Sequence, residues 1–96
     1  MDVQRSLRTV IATGKVLIGA DQTAKAVMQG KAKMVILSSN APNAEALRAA
    51  AVKARVPVYA FEGGGMQLGP ACGKPFSISA LAILEPGESD VMQLGK

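Results

Sequence analysis

Four groups of residues in this chain have types and spacings that could support chemistry. The first is Gly63-Gly64-Gly65-Met66-Gln67-Leu68-Gly69, close to the glycine fingerprint with which a strand–helix turn holds a dinucleotide pyrophosphate. It follows an apolar run, and Glu85 stands about twenty residues on, where a ribose-binding acid would. Against this, the last glycine falls one position late, and Pro70, Gly73 and Pro75 leave no uninterrupted helix to aim at a phosphate. A flexible turn is the plainer reading. The second is Cys72, a single cysteine in a chain without histidine, which predicts a buried, inert thiol rather than a nucleophile. The third is Glu85, Glu88 and Asp90, whose spacing fits neither a calcium loop nor an acid–base couple. The fourth is Gly19-Ala20-Asp21-Gln22-Thr23-Ala24-Lys25. There a strand gives way to a helix, so unpaired backbone N–H groups collect beside an amide, a hydroxyl and a lysine. Such a junction suits hydrogen bonding to phosphates and base edges. Equally, Asp21 could cap the helix by accepting from the N–H of Thr23 or Ala24.

What the chain lacks excludes more. Without histidine there is no Ser-His-Asp triad, no histidine general base and no imidazole metal ligand. No metal and no cofactor are expected, and a non-enzyme is the stronger expectation. One cysteine rules out an internal disulfide framework. The aromatic residues are Tyr59, Phe61 and Phe76, too few to read a single strand by serial stacking. With 49% hydrophobic and 19% charged residues over 96 positions, residues 1–96 are expected to form one folded domain. No apolar run approaches a membrane span, and Met1-Asp2-Val3-Gln4-Arg5 has no signal-peptide character, so a cytoplasmic protein is expected. Residues 1–60 carry nine Lys or Arg against three carboxylates, and residues 61–96 two against four, so the net +4 divides into +6 and −2. That asymmetry fits a polyanionic partner, or a solvated basic surface.

The elements that must position these groups are legible in the apolar spacing. Val3, Leu7, Val10 and Ile11 form a helical stripe ended by Gly14, and Val16-Leu17-Ile18 a buried strand closed by Gly19. Ala20, Ala24, Val27 and Met28 repeat the helical spacing up to Gly30, and Met34 to Ser38 is a second strand. After a loop with Asn40 or Asn43 as cap, Leu47, Ala50, Ala51 and Ala54 mark a third helix before Pro57. Val58 to Phe61 is a third strand, 63–68 a turn or short helix interrupted by Gly69-Pro70, and Ile78 to Leu84 a fourth strand. A short last element surrounds Val91, Met92 and Leu94, and Met28, Met34, Met66 and Met92 are expected mostly in the core. Helices alternating with short apolar strands predict an α/β fold, a single three-layer α/β/α sandwich around a mixed four-stranded sheet.

The ordered set of short motifs is similar to a known family. Gly14-Lys15-Val16 to Gly19, Gln22-Thr23-Ala24-Lys25, Gly30-Lys31-Ala32-Lys33 and Ser39-Asn40-Ala41-Pro42 carry the first half of the likeness. Val56-Pro57-Val58-Tyr59, Phe61-Glu62-Gly63, Leu68-Gly69, Cys72-Gly73-Lys74-Pro75-Phe76 and Glu85-Pro86-Gly87-Glu88-Ser89-Asp90 carry the second. Together they resemble the archaeal and eukaryotic eL-thirty family of ribosomal proteins, within a superfamily of kink-turn RNA-binding domains, over nearly the whole chain.

The resemblance implies a structural protein of the large ribosomal subunit, located in the cytoplasmic ribosome, monomeric when free, that binds rRNA at a kink-turn internal loop and touches neighbouring ribosomal proteins. It maps the contact to the tandem G·A pairs onto Gly19, Ala20, Asp21, Gln22, Thr23 and Lys25, an asparagine contact onto Asn40, and apolar contact with an extruded base onto Phe76, Ser77 and Ile78. The poverty of aromatics elsewhere fits Phe76 as a ring that stacks on a splayed base, although a ring in that place could also start a core strand. Asp21 departs from the Lys, Arg or Asn that relatives usually carry there. A carboxylate cannot donate to guanine O6 or to phosphate. Other readings are a stand-alone kink-turn binder of another ribonucleoprotein, and a small nucleotide-binding regulatory domain built on Gly63–Gly69.

Overall fold

Every strand alternates its side chains between two apolar layers, and this fixes the architecture. The computed structural model describes residues 3–39, 41 and 44–87. In chain order the elements are α1 (Val3–Thr13), β1 (Lys15–Ile18), α2 (Ala20–Met28), β2 (Met34–Leu37), α3 (Ala44–Lys53), β3 (Val58–Ala60), α4 (Gly65–Ala71) and β4 (Ala80–Glu85). The strands form one sheet in the order β1-β4-β2-β3. β4 runs antiparallel to both β1 and β2, whereas β2 and β3 are parallel, joined by α3 as crossover.

Met34 and Ile36 of β2, with Leu81 and Ile83 of β4, face Leu7 and Val10 of α1 and Leu68 of α4. Val35 and Leu37, with Ala80 and Ala82, face Ala26 and Val27 of α2 and Leu47 and Ala51 of α3. The result is the expected mixed sheet between two helical layers, a single α/β sandwich. Each fully buried Leu or Ile contributes about 1.5–3 kcal/mol of apolar burial. Alanines in β4 and in the facing helices leave room for α2 and α3 to lie close to the sheet.

Three readings need correction. α4 continues through Gly69 and Pro70 to Ala71 instead of stopping at Leu68. Proline removes one amide donor, but the helix is short and ends within a residue, so a single i→i−4 bond is lost. β4 begins at Ala80, not Ile78, because the Ile78 N–H donates to the Gly65 carbonyl of α4 (3.0 Å) and so leaves the ladder. Met34 is buried, but Met28 and Met66 are 81% and 84% exposed, since both sit on helix faces turned from the sheet. The segment around Val91, Met92 and Leu94, the caps Asn40 and Asn43, and Glu88 and Asp90 lie outside the described residues.

Two helices end in the same way. In α2 the Gly30 N–H donates to Val27 O and the Lys31 N–H to Ala26 O; in α3 the Arg55 N–H donates to Val52 O and the Val56 N–H to Ala51 O. Both are Schellman caps, whose pivot must be left-handed. Gly30 has φ 71°, and Arg55 takes φ 60° in the equivalent place, at a cost of roughly 1–2 kcal/mol for a residue with a side chain.

Candidate functional site

Backbone bonds gather three loops at one end of the sheet. The Gly19 N–H, at the end of β1, donates to the Ala80 carbonyl (2.8 Å), and the Ser38 N–H, past the end of β2, to the Ser79 carbonyl (2.9 Å). The Ser39 N–H then reaches the Gly63 carbonyl (2.8 Å), beyond β3. The Ile78 bond to Gly65 completes the set. These bonds set the first loop beside Ala80, two residues past the predicted third-loop residues Phe76, Ser77 and Ile78, which rest on α4. Asn40, the predicted contact of the second loop, lies outside the described residues, next to Ser39.

In the first loop, Gly19 is the N-cap of α2 with φ 110° and ψ 150°, a backbone shape that favours glycine. No side chain caps the helix. The alternative role of Asp21 as cap is therefore corrected: Asp21 is an exposed first-turn residue, and it is the Gly19 carbonyl that receives the Thr23 N–H (2.9 Å) and the Thr23 hydroxyl (2.7 Å). The amides of Ala20, Asp21 and Gln22 open the helix, where no intrahelical acceptor exists. Gln22 and Lys25 are exposed, while Thr23 is fully buried and acts by holding Gly19 in place.

The third loop rests on α4. Gly65 and Gly69, one helical turn apart, face the 76–78 segment. A Cβ on Gly69 would collide with the Phe76 carbonyl, and one on Gly65 would lie 3.1 Å from the Ile78 carbonyl. The Lys74 N–H donates to the Gly69 carbonyl (3.0 Å). With its backbone pinned, the segment buries Ile78 to 1% exposure and leaves Phe76 at 51%, beside exposed Ser77. The Ile78 side chain belongs to the core, so in this conformation it positions the loop, whereas the Phe76 ring is available to a partner. Sequence reasoning named Phe76 but missed Gly65 and Gly69 as its support. Their i, i+4 spacing was the available signal.

This geometry also disposes of the glycine fingerprint. The Gly64 amide is already taken by Gln67 Oε1 (3.0 Å), and Gly65 and Gly69 serve the close approach of the 76–78 segment. Glu85 lies at the far end of β4, about 17 Å of strand away, too far for a ribose held at Gly63–Gly65. Cys72 is buried in the layer of α1 and α4, and burial pushes its thiol up to about 11, with Lys74 opposing, so it is a poor nucleophile at neutral pH. Among the described residues, no three acidic or cysteine side chains cluster as a metal site, and no helix is long and apolar enough to cross a membrane.

Residues 1–93 match the ribosomal protein L7Ae/L30e/S12e/Gadd45 family. The chain belongs to that family. Its relatives include the large ribosomal subunit protein eL30 of Methanospirillum hungatei, 47% identical over 96 residues and covering all of both chains. The protein of the same name from Methanosarcina mazei is 47% identical over 92 residues, 96% of this chain and 87% of the relative. That from Methanocaldococcus jannaschii is 40% identical over 96 residues, 98% of this chain and 87% of the relative. As a member of the L7Ae/L30e/S12e/Gadd45 family, the protein offers at one sheet end a row of helix-opening amides, exposed Gln22 and Lys25, and a half-exposed ring on a braced loop.

Proposed function

We propose that the protein is a structural, non-catalytic component of the large ribosomal subunit that binds rRNA at a kink-turn internal loop. The relatives' names support the ribosomal role, since the likeness covers 96% or more of this chain and 87% or more of each relative. The observation that carries the RNA reading is that the α2 amides and the segment bearing the exposed Phe76 both lie at the end of the sheet where β4 begins, the first bonded to Ala80 and the second to Gly65 of α4. Gly19 to Gln22, with Lys25, would meet base edges and phosphates of the G·A pairs, Asn40 would add a contact from the second loop, and Phe76 beside Ser77 would stack on the extruded base. Ordinary A-form duplex hides its base edges, whereas a kinked loop splays them towards protein. The protein would work in the cytoplasmic ribosome beside other large-subunit proteins and be monomeric when free. Added to salt-stripped large subunits that lack it, the protein should cosediment with them at moderate salt and be released at high salt; failure to cosediment at any salt would remove the ribosomal assignment.

Asp21 tests the first loop. Its charge sits favourably at the positive end of α2 but repels phosphate. Asp21→Lys should tighten RNA binding and steepen the dependence of log K on log salt by up to about one unit per added phosphate contact. The same change should cost about 0.3–1 kcal/mol of stability through the helix dipole. Asp21→Asn removes the repulsion without adding a cation, so its gain in binding should be smaller. Weaker binding by both variants at low salt would mean that Asp21 accepts a hydrogen bond from the RNA. No change in either would place the residue outside the interface.

A further inference from the structure

The net positive charge of this chain is not concentrated where the proposed base-reading loops lie. Exposed Asp21 and Glu62 stand at that end against exposed Lys25. The opposite end of the sheet carries Lys15 at the start of β1, Lys31 and Lys33 before β2, and Lys53 and Arg55 before β3, all exposed. Among the described residues the acid facing them from the sheet is Glu85, which opposes Lys15 in the β1–β4 register. In the strand order β1-β4-β2-β3 these cations run across the whole sheet, about 14 Å from first to last at ordinary strand spacing.

The backbone holds them there. The Lys31 N–H is bound to Ala26 O (2.9 Å) and the Lys33 N–H to Ile83 O (2.7 Å), with buried Ala32 between them fixing both side chains outward. Arg55 occupies the left-handed pivot of the α3 cap, where the matching cap of α2 has Gly30. A strained arginine in a glycine position, on the same end as four lysines, is the second observation that sets this surface apart.

We infer that this basic end is a second nucleic-acid surface, which grips the phosphate backbone of a double-stranded RNA segment distinct from the one met by the loops at the other end. Duplex RNA is the partner that charge density favours. Duplex DNA has one charge per ~1.7 Å of axis, and at that density about 14 Å presents roughly eight phosphates to a row of cations with no aromatic side chain among them. Such a surface contributes affinity and orientation without reading sequence. The protein would then bridge two RNA segments. RNA is required as the partner here, but a kink-turn is not.

The test uses Lys31→Gln combined with Lys33→Gln, and separately Arg55→Gly, in the full chain. Lys53 is left intact because it complements the C-terminus of α3. Binding is measured to a short fully paired RNA duplex and to a kink-turn RNA with minimal stems, across a salt series. The double variant should lose up to about 1.8 from the slope of log K against log salt on duplex, and Arg55→Gly up to about 0.9, while kink-turn affinity at fixed salt changes less than about twofold. Arg55→Gly should melt no lower than the wild type, so weaker binding by it cannot be ascribed to misfolding. If the wild type fails to prefer the kink-turn but the variants still lose their duplex slope, the proposed function falls and the second surface stands. Unchanged duplex slopes in both variants would overturn it. So would equal losses on the kink-turn, or polyglutamate competing as well as duplex RNA, which would indicate an acidic protein partner.

Discussion

Gly69→Ala should cost about 3 kcal/mol or more, the upper end of overpacking, and lower the melting temperature by more than about 10 °C. Helix propensity predicts the opposite, since alanine in place of a helical glycine is ordinarily worth about 1 kcal/mol of stabilisation. Packing decides the sign. The added methyl would meet the Phe76 carbonyl and the Ser77 Cα, which are backbone and cannot rotate away. Relief requires moving the 76–78 segment off α4 and breaking the Lys74–Gly69 and Ile78–Gly65 bonds. Because that segment carries Phe76, the variant should also bind RNA more weakly at temperatures where it remains folded. Met66→Ala, on the same helix but 84% exposed, is the control and should stay within about 0.5 kcal/mol of wild type. Wild-type melting by Gly69→Ala would show that the segment does not rest on α4 as described.

Phe76→Ala should weaken RNA binding by about 1–3 kcal/mol, or roughly five- to 150-fold, the scale of losing one ring from a stacked base. Its effect on stability should fall well below the roughly 3–5 kcal/mol of a buried phenylalanine, because the residue is half exposed. Phe76→Tyr keeps the aromatic face and should bind nearly as tightly as the wild type. Phe76→Leu keeps bulk without the face and should resemble alanine. A large melting loss with RNA affinity intact, measured below the unfolding transition, would make Phe76 a core ring and remove the third loop from the interface.

The apolar pattern carried most of the fold because burial on both faces makes β2 continuous (Met34-Val35-Ile36-Leu37) and leaves helices with i, i+4 stripes. Local propensity failed where a tertiary contact overrode it. Pro70 and Gly69 look like helix breakers, yet both lie in α4, since glycine there is what lets the next segment approach. Ile78 looks like the first residue of a strand, but its amide is claimed by Gly65. In the site, the helix-opening amides of the first loop follow directly from a strand ending at Gly19. The identity of the N-cap did not, since the residue types offered Asp21 as a cap and the backbone angles of Gly19 are set only in the folded chain. The basic end was hidden for a different reason. Lys15, Lys33 and Arg55 are far apart in sequence and come to one end of the sheet only through the strand order and directions.

Recognition of a kinked internal loop by the loops at the C-terminal ends of β1 and β2 and before β4 can be measured by comparing two RNAs at one salt concentration. One carries the kink-turn with tandem G·A pairs; the other has the same length and flanking stems but is fully paired. Both present nearly the same number of phosphates, so the electrostatic part of binding cancels and the difference reports base and shape recognition. The protein should bind the kink-turn more tightly by on the order of a thousandfold, the lower range for specific over non-specific nucleic-acid binding. Equal affinity for the two RNAs would mean that these loops do not recognise the kink.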